Sequence, residues 1–219
     1  MSYCKQLHEI FNGLKRYRYP FDEKDIPENG IYVQFENGEK AHSGDRIVRI
    51  GTHDGQGNLR QRLNEHFEES GRSVFRRKVG SALINKEIRE GSLYWSKEDL
   101  EDWSTDWTER EEKFEKRNRS DRLEESERIV SEYIRENISF ICIKVEDKEK
   151  RKHFEKRLIS TVSNCKECNQ SKDWLGKYCN KDRVVKSGLW QEQGLWGENI
   201  SDIEFEELKK LIELTNECK

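Results

Sequence analysis

A chain of 219 residues that is 39% charged yet carries a net charge of only −3 is no globally basic nucleic-acid binder, so any nucleic-acid contact must use a local patch. Six cysteines at this length are too sparse for a disulfide scaffold, and six Trp with nine Phe supply a core that a disordered chain lacks. The length suits one domain, or one domain with a large insertion.

Leu7, Ile10, Phe11 and Leu14 recur at helical spacing and predict a helix over 4–15. No apolar leader follows "MSYCKQLHEIF", and the most apolar run, "ISFICIKV" at 138–145, is too short to span a bilayer. The expectation is a cytoplasmic, reducing setting with no membrane partner. Pro20 and Pro27 bracket a loop, after which "IYVQFE" reads as a strand, closed by a turn at "ENGEK", with "RIVRIG" as the next strand. The polar, Gly-rich "THDGQGN" then leads into a helix at 58–69, with Asn58 as its N-cap and Gly71 as its end.

"VFRRKVGSALINKEIREG" continues helically. Residues 92–108 hold Tyr94, Trp95, Trp103 and Trp107. If exposed, these aromatics would form an oligomer contact and make the chain a homo-oligomer. Residues 109–128 contain 15 charged residues of 20, which predicts a solvated helix laced by i,i+4 pairs. "ISFICIKV" is a buried strand, "EDKEKRKHFEKRLISTVSN" the following helix, and 203–216 a final helix. Gly188-Leu189-Trp190 and Gly194-Leu195-Trp196 read as turns with packing anchors. The order predicts an α+β class: a small three-stranded sheet flanked by helices. All of it forms one domain over 1–219, with a charged helical insertion at about 92–136 and a C-terminal elaboration at about 177–219.

On the helix at 58–69, Arg62 and His66 are four residues apart and share a face. Arg suits a phosphate oxygen because its planar fork donates two hydrogen bonds. Alone, such a pair is ordinary surface charge. The order of the pieces carries more. Gly30-Ile31-Tyr32, then Arg49-Ile50-Gly51, then Arg62 and His66 in "LRQRLNEHF", then Glu155 in "HFEKRLIS" resembles the GIY-YIG nuclease superfamily. The phrases "IPENGIYVQFENGE", "VRIGTH" and "VFRRKVGSALI" are similar to a stand-alone bacterial, restriction-like branch of it.

The resemblance implies a divalent-metal-dependent endonuclease that hydrolyses DNA, using Mg²⁺ or Mn²⁺. It implies Tyr32 as the group that orients or deprotonates water, Arg62 on the scissile phosphate, His66 in support, and Glu155 as metal ligand. A late Asn completes the family's site, and Asn164 and Asn169 are both candidates, Asn169 being carried forward. Arg49 stands where the family has its second tyrosine, and a cation there could contact phosphate or act on Tyr32. His53, Arg60 and Arg76 join Arg49 as candidate substrate contacts. A compact chain with an inserted charged segment leans towards restriction or defence. The alternative that Arg49 raises is a catalytically weak or inactive module binding nucleic acid or a partner protein.

Cys165-x-x-Cys168 with Cys179 supplies three thiols, whereas structural zinc wants four ligands. His153 or Cys142 would have to join from elsewhere.

Overall fold

The computed structural model describes residues 2–68 and 72–217, so Gly71 lies outside the described residues. Three strands, β1 (Gly30–Ala41), β2 (Gly44–Gly51) and β3 (Ile138–Lys144), form an antiparallel sheet in the order β2-β1-β3. The α+β expectation holds. Central β1 places Tyr32 opposite Gly51 of β2 and Cys142 of β3.

Both faces of the sheet are covered, as alternation along the strands requires. Ile31, Val33 and Phe35, with Ile141 and Ile143, meet α1 (Tyr3–Asn12), α7 (Lys148–Ser163) and α9 (Asp202–Glu217). Tyr32 and Val48, with Phe140 and Cys142, meet α2 (Leu59–Phe67), α3 (Val74–Arg89) and α6 (Ser120–Asn137). Helix α2 docks through Leu59, Leu63 and Phe67, a stripe at i, i+4 and i+8. Asn58 occupies its N-cap position, but its amide donates to the Asp54 carbonyl and the helix has no side-chain cap.

Strand β1 does not end at "ENGEK". It passes through an irregularity between Phe35 and Lys40, where Gly38 has φ +85°, and continues to Ala41. The hairpin turns instead at His42-Ser43, both with positive φ (50° and 68°), the conformation a two-residue loop needs to match strand twist.

The charge-rich stretch is two helices, α5 (Trp107–Lys116) and α6, broken near Asn118 at φ 53°. Its charges are not all solvated. Glu127 is buried between Arg76 and Arg110, each 2.8 Å away. Trp103, at the end of α4 (Lys97–Trp103), is fully buried with the Arg110 guanidinium 3.9 Å from its ring centre. Trp95 is buried as well and Trp107 is half-buried, while Tyr94 is exposed, so the aromatic-rich segment is largely core and the expected oligomer contact is not supported.

The C-terminal region binds the sheet through polar hooks. Buried Glu36 accepts from the Trp174 and Trp190 indoles at 2.9 and 2.7 Å and from Tyr133. The Trp190 N–H donates to the Val48 carbonyl, and Ile50 N–H donates to Gln191 Oε1. The segment after α8 (Asp182–Ser187) thus covers the edge of β2 that has no strand partner. Among the described residues no helix is long and apolar enough to cross a membrane.

Candidate active site

A cleft of about 880 Å³ opens where β2, α2, α7 and the Gln191–Gly194 segment meet, and Tyr32, Arg49, Arg62, His53 and Glu155 all line it. Strand β2 runs out at Gly51 and delivers Thr52 and His53 to the rim, while the helical pitch of α2 turns Arg62 towards the cleft.

Tyr32 forms the floor and has no solvent exposure of its own. Its hydroxyl lies 2.8 Å from His66 Nε2, and Arg49 Nη2 donates to it at 3.4 Å. The other His66 nitrogen, Nδ1, is 2.8 Å from Ser73 Oγ, the N-cap of α3, which already accepts the Arg76 N–H. Burial first, then the guanidinium groups of Arg49, Arg62 and Arg76, hold the His66 imidazole well below its ordinary pKa. His66 is therefore neutral at physiological pH.

Two glycines make room for this floor. A Cβ on Gly51 would stand 2.3 Å from the Tyr32 hydroxyl, and one on Gly30 would stand 2.3 Å from the Ile143 carbonyl oxygen. The motif glycines are thus packing requirements of the sheet around Tyr32.

Glu155 projects from α7, and its Oε1 accepts the Thr52 N–H at 3.2 Å. Burial pushes its carboxyl pKa up, while Arg49 and the Thr52 N–H pull it back. The other cleft carboxylates are matched: Asp54 by Lys152, Glu65 by Arg62 and Glu192 by Lys78, at 3.3, 2.9 and 3.1 Å. Glu155 has no ion-pair partner among the described residues. Six cations (Arg49, Arg62, Arg72, Lys78, Lys152, Lys156) line the cleft against four carboxylates, a local positive excess in a chain of net charge −3.

Arg49 is anchored by a 2.7 Å bond from Nη1 to the Trp190 carbonyl oxygen, and its Nε is buried without a partner. His53 Nε2 accepts the Gly30 N–H at 3.3 Å, which places the ring proton of the neutral form on Nδ1, also buried. Burial and then Arg151 lower the His53 pKa.

Other residues singled out from the sequence lie elsewhere. Arg60 turns from the cleft, donates to the Ile26 carbonyl at 2.8 Å and lines a separate pocket beside Tyr17 and Cys142. Arg76 is buried against Glu127 and reaches the site only through its backbone N–H and its charge. Asn164 caps the end of α7 and bonds Gly197 and Asn199. Asn169 is exposed and donates to the Lys166 carbonyl. Neither asparagine completes the cleft, because both follow the last turn of α7, whereas Glu155 lies near its middle. Sequence reading missed Lys156 and the Gln191–Glu192 wall, whereas Lys78 and Lys152 belong to the basic runs Arg76-Arg77-Lys78 and Lys150-Arg151-Lys152, which the sequence offers as phosphate binders. The signal for Lys156 was the spacing of Lys152 and Lys156 around Glu155 on one helix.

The model of a GIY-YIG domain matches residues 2–218. No curated protein and no solved structure gives a significant match. With the motif tyrosine, Arg62, His66 and Glu155 gathered around one cleft, and a family match over nearly the whole length, the chain belongs to the GIY-YIG domain family, whose members are generally endonucleases.

Proposed function

We propose that the chain is a divalent-metal-dependent endonuclease that hydrolyses phosphodiester bonds in DNA at the Tyr32–Glu155 cleft. The observation that carries this reading is Glu155, the one cleft carboxylate without an ion-pair partner among the described residues, under the influence of Arg49 and Arg62 in a cleft that Lys78, Lys152 and Lys156 also line. An unpaired, partly buried carboxylate fits a hard divalent ion such as Mg²⁺ or Mn²⁺, which is content with one or two protein carboxylates. Glu155 would hold the ion, and the ion would supply Lewis-acid stabilisation of phosphate charge.

The chain's own groups have the following roles. Arg62 binds a non-bridging phosphate oxygen and offsets the charge that grows in the transition state. His53 lines the cleft rim, its ring held in place by the Gly30 N–H donating to Nε2. Ser73 Oγ accepts from Arg76, so its own hydrogen can go to His66 Nδ1, leaving Nε2–H to donate to Tyr32. In that tautomer the Tyr32 oxygen receives hydrogen bonds from His66 and Arg49. Both fix the position of the Tyr32 oxygen, which is thereby oriented to act on an attacking water. Arg49 thus replaces a hydroxyl with a donor to the remaining tyrosine. DNA as substrate, and a restriction or defence role, rest on the resemblance of the motifs.

One observation favours a second reading, a module that binds nucleic acid without cutting it: the Tyr32 hydroxyl is shielded from solvent. Incubation of plasmid and short duplexes with Mg²⁺ separates the two. Wild type cleaves, and Glu155→Ala and Arg62→Ala do not. Salt-sensitive binding with no cleavage by wild type on any of these substrates would establish the binding module instead.

A further inference from the structure

The end of the sheet remote from the cleft carries a second constellation. Cys4 in the first turn of α1, His42 in the β1–β2 turn, and Cys165 and Cys168 in the loop after α7 converge, with ligand atoms all within 4.8 Å of one another. Cys4 Sγ lies 3.4 Å from Cys168 Sγ, and Cys165 Sγ lies 3.5 Å from His42 Nε2. We propose that these residues form a Cys₃His site for a single structural Zn²⁺.

Two edges, Cys4–Cys168 and Cys165–His42, already have the length of tetrahedron edges around one ion, and all four ligand atoms lie within 4.8 Å of one another. Zinc bonds of about 2.3 Å to sulfur and about 2.0 Å to nitrogen give ligand–ligand edges of roughly 3.4–3.8 Å. A disulfide needs its sulfurs at about 2.05 Å, well inside the 3.4 Å that separates Cys4 from Cys168, and these cysteines are all free. The donor set of three thiolates and one imidazole selects a tetrahedral, borderline-soft ion over Mg²⁺.

Three further features fit. His42 presents Nε2 to the thiols, while its Nδ1 faces the Glu167 carboxylate 3.7 Å away, the side on which a metal-bound imidazole takes its outer partner. His42 also sits at φ 50° in a turn that favours Asn or Gly, yet its side chain is 3% exposed. A strained, buried histidine at a hairpin tip is explained if it is a ligand. His8, although 3.6 Å from the Cys168 thiol, is not one. Its Nδ1 bonds the Cys4 carbonyl, and its Nε2 accepts the Ile47 N–H.

The first two ligands are far in sequence from the Cys-x-x-Cys pair, so only the fold assembles the set. The other ligands considered with that pair from sequence lie elsewhere: Cys179 packs near Ser81, Cys142 sits on the opposite sheet face, and His153 pairs with Glu204. Strand β2 separates the ion from the cleft by seven residue steps, roughly 23 Å. Its role is to tie α1, the hairpin and the end of α7 together, because binding energy of the folded site is folding energy.

The test is metal content of the full chain purified under reducing conditions without chelator, with cobalt substitution. Expected are one equivalent of zinc, and for Co²⁺ an intense visible d–d spectrum with thiolate charge-transfer bands. Cys4→Ser and His42→Ala should lose the metal, Cys142→Ser and Cys179→Ser should keep it, and chelator should lower Tm by about 5–10 °C. Zinc no higher in wild type than in Cys4→Ser, a weak octahedral cobalt spectrum, or a Cys4–Cys168 disulfide in the fresh protein would overturn the proposal. Should Cys4→Ser fail to fold, the wild-type zinc content and cobalt spectrum decide alone. None of these readouts depends on nuclease activity.

Discussion

The Cα of Gly51 is the surface on which the Tyr32 hydroxyl rests: a methyl group there would stand 2.3 Å from the phenol oxygen. The two residues face each other across β1 and β2. Gly51→Ala must displace either the ring or the strand, because the contact involves a fully buried tyrosine whose hydroxyl is held by His66. Overpacking of this kind costs about 1–3 kcal/mol, so Tm should fall by on the order of 5 °C. Thermal unfolding with a parallel cleavage assay checks it. An unchanged Tm would show that the tyrosine can move aside.

Glu155→Gln should separate activity from stability. The folded state raises the Glu155 carboxyl pKa, chiefly by burial, so the folded protein holds this proton more firmly than the unfolded chain does. At neutral pH the ionised group therefore costs stability, increasingly as pH rises through its folded value. The variant should lose cleavage by on the order of 10³-fold, as when transition-state charge loses its counterpart. Its Tm at pH 7 should equal or exceed that of wild type. A clear drop in Tm would mark Glu155 as a structural residue.

Arg49→Ala should move the acid side of the pH–rate profile. Arg49 opposes the upward shift that burial gives Glu155, so its loss lets that pKa rise further and the acidic limb moves to higher pH. Arg49→Lys keeps the charge and should shift the limb less. Identical limbs in all three proteins would remove Arg49 from the electrostatics of Glu155.

His66 sets an acid limit on stability. Its folded pKa lies well below the ordinary value of about 6.5 because of burial and three guanidinium groups. Between those two values the unfolded chain binds a proton that the folded chain refuses, so stability rises with pH across that window and is lost on acidification. Wild-type Tm should fall between pH 7 and 5 more steeply than that of His66→Gln, whatever the variant's absolute Tm. Parallel curves would contradict the neutral, buried imidazole.

Arg76→Ala tests a residue that the sequence offered as a substrate contact and the fold buries beside Glu127. Breaking a buried ion pair costs about 3–5 kcal/mol, here less where Arg110 still pairs with Glu127. Tm should drop while DNA affinity of the folded fraction stays the same, read by salt-dependent binding well below Tm.

The sequence by itself was enough to place the three strands and the main helices and to name the α+β class, and the order of its motifs singled out Tyr32, Arg62, His66 and Glu155 as candidates. Those are written in local periodicity and in the order of short motifs, both properties of a linear chain. It did not determine that Trp103 is core, that "ENGEK" is bulged strand rather than turn, or that Arg76 is buried while Lys78 lines the cleft. Lys78 and Arg76 stand on one charged helix, and only the neighbours that pack against it decide which cation meets solvent. The tertiary structure alone also brought Trp190 and Gln191 to the edge of β2, and Cys4 and His42 to Cys165 and Cys168. Contacts between residues more than a hundred positions apart leave no local pattern, because they form only when burial of both sheet faces fixes where distant segments end.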